Sequence, residues 1–396
     1  MRSEHDDPNA ASHTAQCPVG LYFFSACDEE MPAAAGYEVL IEAAKAADQG
    51  GLDFVWVPER HFTPFGGAHP NPAVLAAALA VATRSIRIRA GSVVLPLHDP
   101  IRVAEEWAVV DNLSGGRVEL SSATGWNPRD FVLAPKQYVQ RASLAKEHLR
   151  TVQALWSGAT VQRVGPSGAV HEIRTYPRPI QPRLPHWVTA AGNPATFRYA
   201  GETGAGLLTS YGLFPPAQLA SLISEYRRAH AAHHTGPGRV SVMVHTAIGA
   251  DGRQTRQLAQ EPLRRYLEAY ANQQETRTDA ETFRKSMDFA VQRYLRGRSL
   301  IGDRDEVEKM MRDLYASGAD EVACLVDFGV PRTTVLETVN HLTEIKYRLM
   351  SERTADIGRY PSQGLSDPDP PGTTGHPLPA TANSCPPPAS SGRSAV

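Results

Sequence analysis

The sequence predicts an α/β protein built on a (β/α)8 TIM barrel, with insertions after the fourth and seventh strands and a disordered C-terminal tail. Three observations lead there. Apolar runs of strand length alternate with longer stretches of helical periodicity, eight of those runs can be laid out in order, and right-handed βα crossovers close such a series into a barrel. The 396 residues suit one barrel of about 250 residues plus insertions.

Val19 to Ala26 is the first apolar run, and Tyr37 to Gln49 follows with Val39, Leu40, Ala43, Ala44 and Ala47 on one helical face. Gly50-Gly51 ends that helix. Phe54 to Pro58 is the second strand. The loop behind it, Glu59 to Asn71, is rich in Gly and Pro and carries Arg60, His61 and His69, at the place where barrels put chemistry. Pro72 to Thr83 is an alanine-rich helix that suits either close packing on the barrel or a subunit interface, and a homodimer is the expected assembly.

The segment from Ile86 to Phe131 organises the rest. Ile86 to Leu95 reads as a buried strand with two small residues, Gly91 and Ser92, inside it. Asp99-Pro100 supplies an N-cap and a first-turn proline for a helix through Leu113, Gly115-Gly116 stops it, and Val118 to Ala123 is the fourth strand.

Tyr138 to Trp156 is helical. Gly158 to Pro185 is an insertion with a hairpin around Gly165-Pro166-Ser167-Gly168. Trp187 to Ala191 is the fifth strand, and Asn193 caps a helix whose first residue is Pro194. Gly206 to Thr209, the helix Pro216 to His233, and Val240 to Ile248 continue the alternation. A mostly helical second insertion spans Thr255 to Gly297, ahead of the helix Asp305 to Ser317, the eighth strand Glu321 to Asp327 and the helix Thr333 to Met350.

From Ser362 the chain is rich in Pro, Gly, Ser and Thr and has no aromatic residue, so it buries too little surface to offset its ordering entropy. The expected organisation is a flexible N-terminus over 1–16, one barrel domain over 17–355 and a tail over 356–396. A formal charge of −2 gives no polyanion-binding surface, so nucleic acid is not an expected partner. Cys17, Cys27, Cys324 and Cys385 lie far apart without metal-ligand spacing, no metal is expected, and a reduced cytoplasm suits them. No signal peptide or membrane span is read.

Ala90-Gly91-Ser92-Val93-Val94-Leu95-Pro96, Ala104-Glu105-Glu106-Trp107, Asp111-Asn112-Leu113-Ser114-Gly115-Gly116-Arg117 and Gly125-Trp126-Asn127 together resemble the bacterial luciferase-like, flavin-dependent monooxygenases. The branch associated with secondary-metabolite biosynthesis is the most similar. The resemblance runs from about Val19 to Arg353 and shares the barrel read from the residues.

The resemblance implies a set of site residues. Gly91-Ser92 falls where the family places a non-proline cis peptide under one face of the flavin ring; without the flanking motif the pair reads first as room for a neighbouring strand. Gly192-Asn193, at the start of the helix after strand five, would present N–H groups to the flavin phosphate with the Thr196 hydroxyl beside them. Taken alone it is an ordinary capped helix start. Ala123 and Thr124 occupy a cofactor-lining position where the luciferases carry a cysteine and a basic residue.

Glu59-Arg60-His61-Phe62 stands where the light-emitting luciferases have Glu-His-His-Phe with the first histidine catalytic. Arg60 therefore departs from that pattern, and His61 matches the second histidine, which can shuttle a proton. Arg60 suits pairing with a carboxylate, the flavin edge or a peroxy group. Both are expected in catalysis.

The resemblance thus implies a monooxygenase that uses reduced FMN, delivered by a separate flavin reductase, and dioxygen. The substrate would be a small-molecule or carrier-protein-tethered biosynthetic intermediate, and the two insertions would act as lids. Two other readings stand beside it: a deazaflavin (F420)-dependent oxidoreductase of the same fold, and a non-catalytic flavin-binding or subunit-partner protein.

Overall fold

The computed structural model describes residues 17–24, 33–212, 214–273 and 279–359, with side chains up to residue 351. In chain order the elements are β1 (Val19–Tyr22), α1 (Ala33–Gln49), β2 (Phe54–Val57), α2 (Pro72–Ala82), β3 (Arg87–Val94), α3 (Pro100–Ser114), β4 (Val118–Ala123) and α4 (Arg141–Ser157). A hairpin follows, β5 (Val161–Val164) and β6 (Val170–Ile173), then β7 (His186–Thr189), α5 (Pro194–Glu202), β8 (Gly206–Ser210), α6 (Pro216–His233) and β9 (Val240–Gly249). The chain ends with α7 (Gly252–Ala271), α8 (Ala280–Leu295), β10 (Leu300–Asp303), α9 (Arg304–Ala316), β11 (Glu321–Leu325) and α10 (Arg332–Arg359).

Eight parallel strands close on themselves in the order β1, β2, β3, β4, β7, β8, β9, β11, with β11 pairing back to β1 through Val19↔Val322 to Tyr22↔Leu325. This is the (β/α)8 barrel the alternation predicts. The expected hairpin is present as an antiparallel β5–β6 pair that forms its own sheet. One strand was not expected: β10 lies between the second insertion and α9 and pairs with the far end of β9, Thr246 to Gly249. The expectations for the N-terminus and the tail fall on 1–16 and 360–396, outside the described residues, while the backbone of 356–359 continues α10.

Local chemistry sets the helix ends. Asn71 Oδ1 accepts from Ala73 and Val74 N–H ahead of Pro72, Asp99 accepts from Ile101 N–H ahead of Pro100, and Asp303 with Glu306 forms a capping box. Gly115, at φ 70°, ends α3 in the left-handed conformation that a side chain disfavours.

The base of the barrel is filled by charge and aromatic rings rather than by aliphatic side chains alone. Arg89, 2% exposed, ion-pairs with Glu321 at 2.5 Å and Glu119 at 2.9 Å, and Arg239 reaches Glu321 at 2.6 Å. The Arg89 guanidinium lies 4.0 Å from the Phe54 ring centre and 4.8 Å from that of Trp187, whose indole N–H donates to Glu119 at 2.7 Å. Burial opposes ionisation of Glu119, but Arg89, Arg239 and Arg87 outweigh it and hold the carboxyl at about 2. Among the described residues no helix is long and apolar enough to cross a membrane.

Candidate active site

The carboxyl ends of β2 and β3 meet through one buried carboxylate. Glu59, 5% exposed, accepts the Val94 N–H at 2.7 Å through Oε2, and its Oε1 lies 2.8 Å from His61 Nε2 and 2.6 Å from His98 Nε2. The bond to Val94 satisfies the backbone where β3 gives way to the short 3-10 turn Leu95–Leu97, and His98 follows that turn. Burial opposes the Glu59 charge, yet the hydrogen bonds from both histidines, the charge on His98 and the Val94 N–H hold its pKa below the usual value. His98 is moved the other way: burial lowers it, and Glu59 more than reverses this.

The same strand carries the Gly91-Ser92 peptide, which is cis. A Cβ on Gly91 would stand 2.9 Å from the Trp56 ring and 3.1 Å from the Tyr22 ring, so the small residue expected to make room for something makes it for these two neighbours. The Tyr22 hydroxyl donates to the Gly91 carbonyl. Ser92 Oγ lies 2.5 Å from Thr189 Oγ1, which is 2.7 Å from Ser121 Oγ, joining the ends of β3, β4 and β7 in one hydroxyl cluster.

Three residues beyond Thr189, Gly192 has φ 123° and sits against the Phe214 ring, and Asn193 caps α5 by accepting the Ala195 N–H at 3.0 Å. Among the described residues the N–H groups of Gly192 and Asn193 and the Thr196 hydroxyl donate no hydrogen bond, and Pro194 has no N–H to offer. Ala123 packs beside a small cluster of Val94, Leu97 and Phe131, and Thr124 is exposed. Neither joins the hydroxyl cluster.

Arg60 is held in the mouth of the barrel. Its N–H donates to the His69 carbonyl at 2.8 Å, and its guanidinium lies 4.8 Å from the Phe24 ring centre and 5.5 Å from each of Phe65 and Trp126. Nη2 donates to Gln273 Oε1 at 2.7 Å. The second insertion covers this end: Tyr266 of α7 packs against Phe24 and Phe65 with centroids 5.4 and 4.9 Å away, and Tyr270 lies 5.8 Å from Trp126. The hairpin of the first insertion contributes Arg163 to a groove shared with His98 and Lys136.

Two further histidines are buried and neutral. Burial lowers His245 to about 3, with its ring 4.5 Å from that of Tyr266; burial and then the Arg60 charge take His69 to about 3. They are poor proton carriers near neutrality. The structure thus gathers Arg60, His61, Gly91 and Ser92 into one neighbourhood and adds Glu59, His98, Tyr22, Thr189, Tyr266 and Gln273, which were not expected in the site. The available signals were weak: Glu59 stood inside the quoted motif, and His98 precedes the Asp99-Pro100 cap.

Comparison with known proteins decides the family. Residues 18–321 match the model of the luciferase-like monooxygenases. The chain belongs to the luciferase-like monooxygenase family. An F420-dependent glucose-6-phosphate dehydrogenase from Amycolatopsis mediterranei is 32% identical over 181 residues, 44% of this chain and 53% of that protein. The chain thus spans about half the length of that relative. The oxygenase component of a flavin-dependent trigonelline monooxygenase from Acinetobacter baylyi is 25% identical over 309 residues, 74% of this chain and 84% of its own length. Among solved structures, the monooxygenase RslO1 from Streptomyces bottropensis superposes with a TM-score of 0.71 at 24% identity, over 83% of this chain and 98% of its own. This luciferase-like chain therefore shares its barrel with oxygenases and, in sequence, with deazaflavin enzymes.

Proposed function

We propose that this luciferase-like chain is the oxygenase of a two-component monooxygenase, taking reduced FMN from a separate reductase and oxygenating a small-molecule or carrier-tethered biosynthetic intermediate. The observation that carries the choice of FMN is the start of α5. Gly192 N–H, Asn193 N–H and the Thr196 hydroxyl are uncommitted neutral donors at a helix N-terminus, which suits a single phosphate. The one basic residue of α5, Arg198, is exposed and ion-pairs with Glu225 at 3.7 Å. Bound reduced flavin would supply the two electrons that activate dioxygen, one atom of which would go to the substrate and the other to water.

The chain's own residues hold and orient. Glu59 fixes the His61 ring through Nε2, leaving Nδ1 as the atom that takes or gives a proton at the reacting centre. Arg60 stays charged throughout and contributes positioning rather than proton transfer. Gly91 and Ser92 would lie beneath the ring, with the Ser92, Ser121 and Thr189 hydroxyls joined at its edge. Ala123 and Thr124 would line the outer cofactor wall. Tyr266 and Tyr270 exclude water from above.

The 32% identity to an F420-dependent dehydrogenase favours a second reading, hydride transfer with a deazaflavin. Fluorescence titration with reduced FMN and with the deazaflavin separates the two. Tighter FMN binding, with labelled dioxygen entering product when a reductase is supplied, supports the oxygenase; tighter deazaflavin binding overturns it.

A homodimer is proposed on α2 and α3. Val74 and Val81 are 65% and 71% exposed on one helix, and Val109 and Leu113 are 43% and 49% exposed on the other. Such an apolar face across adjacent helices suits a second copy.

A further inference from the structure

We infer that Arg60 anchors an anionic group of the substrate, so that the molecule oxidised carries a carboxylate or equivalent oxyanion on a flat apolar body. That the bound molecule is a substrate rests on the oxygenase reading; that it is bound at Arg60 does not.

The first ground is the missing partner. Several other arginines have carboxylates, Arg89 with Glu119 and Glu321, Arg239 with Glu321 and Arg227 with Asp320 at 2.6 Å, while Arg117 and Arg178 instead place both Nη atoms on backbone carbonyls. Arg60 has none within ion-pairing distance among the described residues. The acid whose charge it feels, Asp130, is engaged by Asn127 Nδ2 at 3.0 Å. A guanidinium largely withdrawn from water without a counter-charge is an unfavourable arrangement in the free protein, and an arriving oxyanion relieves it.

The second ground is donor geometry. Only Nη2 is committed, and its acceptor is the neutral amide of Gln273. Nε and Nη1 make no hydrogen bond among the described residues, and neither is sealed from solvent. A guanidinium edge with free donors takes a carboxylate in a bidentate fork. The rings of Phe24, Phe65 and Trp126 hold the cation against their faces but do not accept its in-plane N–H groups.

The third ground is the wall. Trp126 is 42% exposed and stands beside Tyr270, so a molecule fixed by its anionic end at Arg60 meets aromatic surface next to it. That pairing favours an apolar, planar body over a sugar or a polyol.

The position of Trp126 also supplies the assay. Of the five tryptophans, Trp56, Trp107, Trp156 and Trp187 are fully buried, so ligand-dependent quenching reports on Trp126. The full chain, without added flavin, is titrated with benzoate and with benzamide, two probes of the same shape that differ in charge. Benzoate should bind at least about tenfold more tightly, the usual worth of a hydrogen bond to a charged group. Arg60→Gln should erase the preference, and Trp126→Phe should abolish the signal. An FMN-against-riboflavin titration of Arg60→Gln separates the substrate anion from the flavin phosphate: the preference for FMN should survive. Equal affinity for the two probes in the unmodified protein, no binding of either, or a preference that survives Arg60→Gln overturns the inference. Loss of the FMN preference also overturns it and assigns Arg60 to the cofactor. If Arg60→Gln fails to fold, the comparison of probes on the unmodified chain still decides. Because no turnover enters, failure here leaves the oxygenase reading standing, and failure of labelled-oxygen incorporation leaves the anion site standing.

Discussion

His61 Nε2 stands 2.8 Å from Oε1 of Glu59, and the same oxygen receives His98 Nε2 at 2.6 Å. A single buried carboxylate thus orients the histidine proposed to carry the proton and, through Oε2, pins the end of the strand that holds Gly91-Ser92. Two of the three hydrogen bonds on this side chain, from Val94 and His98, register the loop to the strand end, and the third, to His61, lies within the loop.

That arrangement fixes a titration. Because Glu59 holds the His98 pKa above its ordinary value despite burial, Glu59→Gln should lower it, leaving burial opposed only by the charge of Glu106. His98 contributes stability that is complete below its unfolded value of about 6.5 and is lost as pH rises through the higher folded value, and in the variant this dependence should shrink or change sign as burial takes over. Proton NMR of the imidazole resonances across pH 5 to 9 checks it. An unmoved His98 would remove Glu59 as the cause.

His61→Ala should cut product formation by about 10²–10⁴-fold, the range for a lost acid/base group, with FMN affinity little changed. Arg60→Ala should fail differently, with flavin oxidation and hydrogen peroxide release continuing while product falls. Product analysis run beside a peroxide assay distinguishes them. Full coupled turnover in both variants would take the loop out of the chemistry.

Arg89→Met should destabilise the fold by about 3–5 kcal/mol, the cost of stripping one partner from a buried charge group. Glu119 and Glu321 would keep only Arg239 and Arg87. In the unmodified chain both carboxyls sit below the unfolded value of about 4.3, Glu119 at about 2. Their contribution is therefore whole above about pH 5 and drains away as pH falls toward 2. Urea midpoints measured over that window should fall in the unmodified chain and be flatter in Arg89→Met.

Val81→Glu, on the exposed face of α2, should convert a dimer to a monomer without lowering the melting temperature of the subunit, since this side chain is 71% exposed. Light scattering after size exclusion reads the mass. An unmodified chain that already runs as a monomer would remove the interface.

The barrel was legible because its strands are buried on both faces and read as apolar runs bounded by Gly, Pro and capping residues; Val118 to Ala123 and Pro216 to His233 fall on the observed elements residue for residue. Leu300 to Asp303 was missed because it is short, shows no alternation, and ends in the residue that caps α9. The floor was invisible for another reason. Arg89, Glu119 and Glu321 each look like a misplaced charge in an apolar strand, and only ring closure brings them together. In the site, the family motif pointed to Arg60 and His61, but which face of the second insertion covers the mouth depends on how α7 packs. Nothing in the spacing of Tyr266, Tyr270 and Gln273 announced it.

The pairing of β1 with β11 sets a clock on biosynthesis. The strand that seals the barrel ends at Leu325, whereas its partner ends at Tyr22, so β1 leaves the ribosome some 300 residues before it acquires its second neighbour. At about 5–20 residues per second this is roughly 15–60 s in which the free edge of an apolar strand is open to any passing chain. Fusions or truncations that stop short of β11 should therefore accumulate in inclusion bodies, and slower translation of the last third of the message should lengthen the exposure.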